Sequence, residues 1–328
     1  MTKKYRMLSV WCSALALVLP GAVFAQSPGA EGPDVDLGLV AGGEGGTYRG
    51  WPIVTEISVA HPKAALAAAK GETVQPISVS VPSGRWTALV KLVVRNSQGE
   101  IQQWPYRLLT TVGPSLTLDT EQRGELTVVL SPEATATPAA GRYTMQVFLD
   151  SRNGTNDASW KGVASSQLEF ELKEAPTTPS DTQTCQKGYV FSEYHKSLGQ
   201  LTTAASMLDT ALTQAPDELL CLVSRAELAD QLGDNYGAID HYHRAIEAKA
   251  RLPQDADGES GSGSLLHRCL GIVQKLPPSE RHPLNIFCSY VTCEERMDAG
   301  TCPSSSKPAS TIPGRGSRTK PRSDKKGQ

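Results

Sequence analysis

His241 and His243 stand two residues apart, and His243 and Glu247 four apart, in a stretch whose apolar residues recur at helical spacing. On a helix the two histidines point about 200° away from each other, so they cannot grip one metal ion from one face. His243 and Glu247 lie one turn apart, a spacing that serves equally as an ordinary surface pair. Elsewhere the chemistry is thinner. Ser260 sits in a glycine run but misses the nucleophile-elbow spacing by one position, and no HExxH or paired-carboxylate signature occurs. Asp255-Ala256-Asp257-Gly258 opens like a calcium loop, yet the twelfth position, where a bidentate Glu belongs, is Leu266. The Gly42–Gly46 run has neither phosphate-loop spacing nor a strand before it and a helix after it. The expectation is a chain with no catalytic residue, no metal and no cofactor, not an enzyme.

With 328 residues and 39% hydrophobic content, the chain can hold two domains of ordinary size. The net charge of −2 conceals an uneven distribution: a basic start (Lys3, Lys4, Arg6), a body of about −11 over residues 26–303, and a basic tail. Residues 1–25 combine that start with an apolar run from Met7 to Leu19, Pro20-Gly21 and a small residue, Ala25, at the end. This reads as a signal peptide, because thirteen apolar residues are too few to span a bilayer. The expected location is exported, periplasmic or extracellular, with no transmembrane segment in the mature chain. Six cysteines follow the leader (Cys185, Cys221, Cys269, Cys288, Cys293, Cys302), and an even number in an exported chain favours disulfides.

The elements that would position any site change character along the chain. Residues 26–50, rich in Gly and Pro, read as a flexible leader. From Trp51 the period is two: Ile53, Thr55, Ile57, Val59; then Ile77, Val79, Val81. A hairpin is expected over 88–109 around Asn96-Ser97-Gln98-Gly99, with Trp104 and Tyr106 on one side, and an alanine-rich helix over 63–70. Short strands follow at 116–118, 126–130, 143–149 and 168–172. About eight strands at turn-punctuated spacing predict an antiparallel β-sandwich over 51–173. Its four tryptophans, Trp51, Trp86, Trp104 and Trp160, are expected in the core rather than on a sugar platform. Asn153-Gly154-Thr155 matches a glycosylation acceptor and equally a tight turn. The stretch Pro132 to Met145, with Gly141-Arg142-Tyr143, resembles the late loop and G-x-Y strand of immunoglobulin-like domains of exported bacterial proteins, without their inter-sheet disulfide. A Pro/Thr/Ser linker is expected at 174–184.

Beyond it the chain repeats. Gly199, Ala204, Leu208 and Ala211 recur 34 residues later as Gly233, Ala238, Tyr242 and Ala245. This stretch resembles the tetratricopeptide repeat, whose two antiparallel helices touch at small residues, and the resemblance puts those places at Ser192, Ala204 and Ala211, then Ala226, Ala238 and Ala245. Residues 185–252 are similar to two tetratricopeptide repeats, and the segment Gly233 to Ile246 is very like the second half of that family's consensus. Gly188, Leu222, His195 and Ala229 depart from it. The resemblance implies stacked helical hairpins whose first helices hold a protein or peptide on their inner surface. The positions so implied are Gln186, Tyr189, Glu193 and Lys196 in one unit and Leu220, Val223, Glu227 and Asp230 in the next. It also places Cys185 and Cys221 near the starts of adjacent first helices, which makes them the candidate disulfide.

After a Gly/Ser-rich connector at 253–263, a capping helix from Ser264 to Leu276 is expected to open a Cys-rich subdomain over 264–303. The tail 304–328, basic and without apolar periodicity, reads as disordered and able to touch anionic surfaces, with no specific nucleic acid as partner. The fold class is thus all-β followed by all-α. The function expected from sequence is an exported, non-enzymatic adaptor that binds a protein or peptide through its short array. The alternative is a surface structural or carbohydrate-associated protein whose sandwich does the binding while the helices act as a spacer.

Overall fold

The computed structural model describes residues 34–39, 47–81, 84–109, 113–156, 160–251 and 262–294. The leader over 1–25, the Gly42–Gly46 run, the connector's residues up to 261, Cys302 and the basic tail lie outside them. The protein is mixed β and α, with sheets first and the long helices after.

The strands are β1 (Asp34–Leu39), β2 (Thr47–Tyr48), β3 (Ile53–Ala60), β4 (Ile77–Val79), β5 (Val90–Asn96), β6 (Ile101–Gln102), β7 (Arg107–Leu109), β8 (Leu116–Leu118), β9 (Gly124–Leu130), β10 (Gly141–Asp150) and β11 (Val163–Lys173). They form one sheet of order β1-β3-β9-β7, a second of order β2-β11-β10-β5-β6 and a small β4-β8 pair. All pairings are antiparallel except β2 with β11. The two larger sheets share one core. Ile53 and Ile57 of β3 and Leu126 and Val128 of β9 meet Val90, Met145, Val147 and Leu149 from the other sheet. Period-two burial is the cause, since each inward apolar side chain removed from water contributes roughly 1.5–3 kcal/mol. All four tryptophans are buried.

Two expectations need correction here. The stretch taken as a flexible leader contains β1, whose residues 34–39 pair with 55–60 of β3, and β2, which pairs with the end of β11. Val35, Leu37 and Leu39 carry the period-two pattern that a reading of composition passed over. The long hairpin is also shorter than expected. Only Ile101 and Gln102 pair back onto β5, while β7 crosses to β9 in the other sheet. Pro105 lacks an N–H for the ladder and interrupts the strand. Trp104 therefore turns into the core, whereas Tyr106 stays 38% exposed. The tight end of the hairpin is as the sequence implies: the Asn96 side chain accepts from Gln98 N–H (3.1 Å) and Glu100 N–H (2.9 Å), and Gly99 takes φ 80°.

The helices are α1 (Ala64–Lys70), α2 (Pro132–Ala136), α3 (Asp181–Ser197), α4 (Leu201–Gln214), α5 (Leu219–Gln231), α6 (Asn235–Ala250), α7 (Ser262–Val273) and α8 (Pro278–Glu294). α3 begins within the stretch expected as linker because Ser180 and Gln183 close a capping box ahead of it. α3 with α4 and α5 with α6 make two hairpins, turned at Gly199 and Gly233, both at φ 75°. Ser192, Ala204, Ala211, Ala226, Ala238 and Ala245 are all buried at the helix contacts, with Leu208 and Tyr242 wedged beside them. α7 and α8 form a third hairpin where a single capping helix is expected. α7 ends ahead of Pro277-Pro278, and Pro278 starts α8, the position where a missing N–H costs nothing.

Two disulfides brace this array. Cys185 of α3 is bonded to Cys221 of α5, with Cα atoms 5.7 Å apart, and Cys269 of α7 to Cys288 of α8, with Cα atoms 6.0 Å apart. No helix among the described residues is long and apolar enough to cross a membrane.

Candidate functional site

The helical array meets the β-domain through an aromatic joint. Tyr48 and Trp51, with ring centroids 4.5 Å apart, pack on Val190 of α3, and the Gln183 amide donates to the Tyr48 hydroxyl at 3.2 Å. Arg49 bridges to Glu174 at 2.7 Å and donates to the Ala136 carbonyl at 2.7 Å. The segment between the two halves is therefore anchored on both sides rather than free to swing.

The joint brings α3 beside β3, and α5 packs on α3 in turn. Tyr189 is half-buried between the helical core and the Tyr48–Trp51 cluster. Burial holds its hydroxyl above the ordinary tyrosine range, and the carboxylates of Glu193, Glu227 and Glu56 add to that. Glu193 is buried and paired with Lys196 at 2.6 Å. On β3, Glu56 has its carboxyl raised first by desolvation and then by Glu125 and Glu193. On α5, Glu227 pairs with Arg268 of α7, and Asp230 with Lys275 just beyond α7 at 2.5 Å. Val223 is half-buried against the helical core, and Leu220 is 41% exposed.

The structure thus brings Tyr189, Glu193, Lys196, Val223, Glu227 and Asp230 along one run of first helices, with most of their charges already matched inside the chain. Leu220 is the member most open to a partner. Sequence reasoning does not see Arg268 and Lys275, the cations that reach Glu227 and Asp230 from the third hairpin. The ten residues 252–261 set that hairpin out of the 34-residue register, so no periodic signal reaches it.

His241 and His243 lie apart from this surface. His243 is buried, its ring stacked on Phe287 of α8 at 3.9 Å, with Nε2 3.5 Å from Glu247. Burial lowers its pKa. His241 is pushed down to about 4, first by burial and then by the neighbouring Arg225 guanidinium. Both are neutral packing groups near neutral pH. Among the described residues no three His, Cys, Asp or Glu side chains converge to hold a metal ion.

The β-domain carries a cleft of about 520 Å³ between α1 and the strand ends, lined by His61, Lys63, Leu66, Lys70, Glu72 and Trp160 among others. His61 lies over Trp160 at 6.5 Å, and Trp160 forms a floor that is itself 2% exposed. The indole offers little open face for a sugar ring to stack on.

No family model and no curated protein matches the chain. Among solved structures it is similar to a family 123 glycoside hydrolase from Clostridium perfringens, studied for glycolipid glycan hydrolysis, at 11% identity and a TM-score of 0.25. The match covers 46% of this chain and 26% of that one, so it spans about a quarter of the hydrolase. The expectation that the chain is not an enzyme is corrected on this finding, because the neighbour is one. At that TM-score the likeness carries no argument for any particular reaction.

Proposed function

We propose that this chain binds a protein or peptide partner through the first-helix face of a tetratricopeptide-type array, held rigidly beside an immunoglobulin-like β-domain outside the cytoplasm. The observation that carries this reading is the exposure of Leu220 next to half-buried Val223, on a helix braced by Cys185–Cys221 and by the ion pairs to Arg268 and Lys275. A fixed helix presenting apolar side chains within a charged frame suits an extended or helical ligand, because little ordering is needed on the receptor side.

Each component of the reading has its own support. The period of 34, the two glycine turns at equal φ and the small buried contact residues favour tetratricopeptide hairpins. For the β-domain, the Tyr143 hydroxyl donates to the Ala139 carbonyl at 2.7 Å, a bond of the tyrosine-corner kind found in immunoglobulin-like sandwiches. Two disulfides are compatible with an oxidising compartment.

The test is selection of peptides from a random library on the immobilised chain, followed by affinity measurement with Leu220→Asp. Placing a carboxylate at the centre of the apolar contact weakens selected peptides by tenfold or more, about 1.4 kcal/mol or beyond. Peptides that bind the variant and the natural chain alike would remove the proposal.

A further inference from the structure

The two ends of α5 are held in different ways. Toward its C-terminus, Glu227 and Asp230 are paired with Arg268 and Lys275 from the third hairpin. The first turn, which carries Leu220, starts without a side-chain cap: Glu218 stands at the N-cap in an extended conformation, φ −71° and ψ 113°, and makes no capping bond. α3 starts on the capping box of Ser180 and Gln183, and α6 on Asp234, whose carboxylate accepts from Gly237 N–H at 3.0 Å. A helix start whose amides lack a side-chain acceptor frays more readily than a capped one. What fixes the first turn of α5 comes across from α3. The Glu218 carboxylate accepts from the Thr182 hydroxyl at 3.0 Å, and Cys221, the third residue of α5, is bonded to Cys185. α3 is itself tied to the β-domain on both sides of Cys185, since Gln183 donates to the Tyr48 hydroxyl at 3.2 Å and Val190 packs on Tyr48 and Trp51. The disulfide thus passes the position of the aromatic joint to the residue next to Leu220. Cys185 and Cys221 are 1% and 0% exposed, so the folded chain shields the closed bond from external thiols.

We propose that Cys185–Cys221 is a redox switch on the first-helix face, an inference that rests on reading that face as the peptide site. With the bond closed, the first turn of α5 holds Leu220 against an apolar side chain of the peptide. With the bond open, that turn unwinds and peptide affinity falls, while the hairpins stay packed on the small residues at their contacts. The chemistry is thiol–disulfide exchange. Each cysteine loses its thiol hydrogen, the Sγ–Sγ bond forms, and two protons and two electrons pass to an external disulfide, which leaves as two thiols. A dithiol reductant runs the step backward. The chain therefore takes its peptide after it has met an oxidising disulfide, and burial of the closed bond then keeps the switch set. Cys269–Cys288 joins α7 to α8 instead, and serves as the comparison.

The probe is a peptide selected on the oxidised full chain and checked against Leu220→Asp. Its affinity is measured by calorimetry on the natural chain, on Cys185→Ala/Cys221→Ala and on Cys269→Ala/Cys288→Ala, with circular dichroism and amide exchange on the same samples. The first pair of substitutions weakens binding by roughly tenfold or more and speeds exchange at residues 219–223 well ahead of α6, with the circular dichroism of the parent. The second pair leaves the affinity within about twofold. Glu218→Asp supplies the missing cap, so adding it to Cys185→Ala/Cys221→Ala recovers roughly three- to fivefold of the affinity. An affinity unchanged without Cys185–Cys221, or equal weakening by both pairs, would overturn the proposal. So would a chain that unfolds without that bond, because the bond would then hold the array and not the face. A selected peptide indifferent to Leu220→Asp removes the reading of the face and the switch with it. One that is sensitive to Leu220→Asp but not to the bond removes the switch alone.

Discussion

Lowering the pH through the histidine range destabilises this protein in a way that can be traced to His241. Its folded pKa is about 4, pushed down by burial and then by Arg225, while in an unfolded chain the imidazole titrates near its ordinary value of 6.5. The group is neutral in the fold and takes up a proton more readily when unfolded. Stability is therefore fully present above about pH 6.5 and falls as the pH drops toward 4. At about pH 5 an unfolded histidine is nearly all protonated and the folded one about a tenth protonated, which corresponds to roughly 2 kcal/mol. His243 shifts in the same direction, because burial takes its charged form out of water. The assay is urea unfolding followed by far-ultraviolet circular dichroism at about pH 7.5 and pH 5, with the natural chain and His241→Gln side by side. The carboxylates are common to both, so the difference isolates one imidazole. The variant should lose about 2 kcal/mol less on acidification. Equal losses, or an NMR titration of His241 near its ordinary value, would refute the reasoning.

Two further perturbations probe the array. Replacing Cys185 and Cys221 together by alanine opens a loop of sequence separation 36, and the chain-entropy relation puts the loss at about 4 kcal/mol in denaturant unfolding; an unchanged midpoint would show that the staple contributes nothing to the fold. Gly188→Ala places a methyl 2.5 Å from the Ala211 Cβ and 3.1 Å from the Met207 carbonyl. Overpacking between α3 and α4 outweighs the gain of about 1 kcal/mol in helix propensity, so the melting midpoint falls; a rise would mean that the two helices are not so close.

The sequence is most legible where local period and packing agree. Ala204, Ala211, Ala238 and Ala245 announce close helix contacts because only small side chains fit there, and their 34-residue recurrence carries the element order with it. The strands around Ile57, Val128, Met145 and Val147 are equally plain, since each buries alternate residues in one core. Legibility fails where distant pairing decides. β1 is a strand because β3 offers an edge, Trp104 leaves its hairpin because Pro105 cannot continue the ladder, and the third hairpin stands out of register behind residues 252–261. The candidate surface shows the same division. Tyr189, Val223, Glu193 and Glu227 can be placed on equivalent positions from spacing alone. That Glu227 and Asp230 are met by Arg268 and Lys275, and that Tyr189 is pressed on Trp51's cluster, depends on contacts that no local pattern encodes.

The most direct measurement is hydrogen exchange on the chain with and without a peptide selected for binding. Binding through the first-helix face protects amides of Leu219–Gln231 around Leu220 and Val223 and leaves the strands unchanged. Protection confined to the β-domain, around His61 and α1, with α5 unaltered, would contradict it.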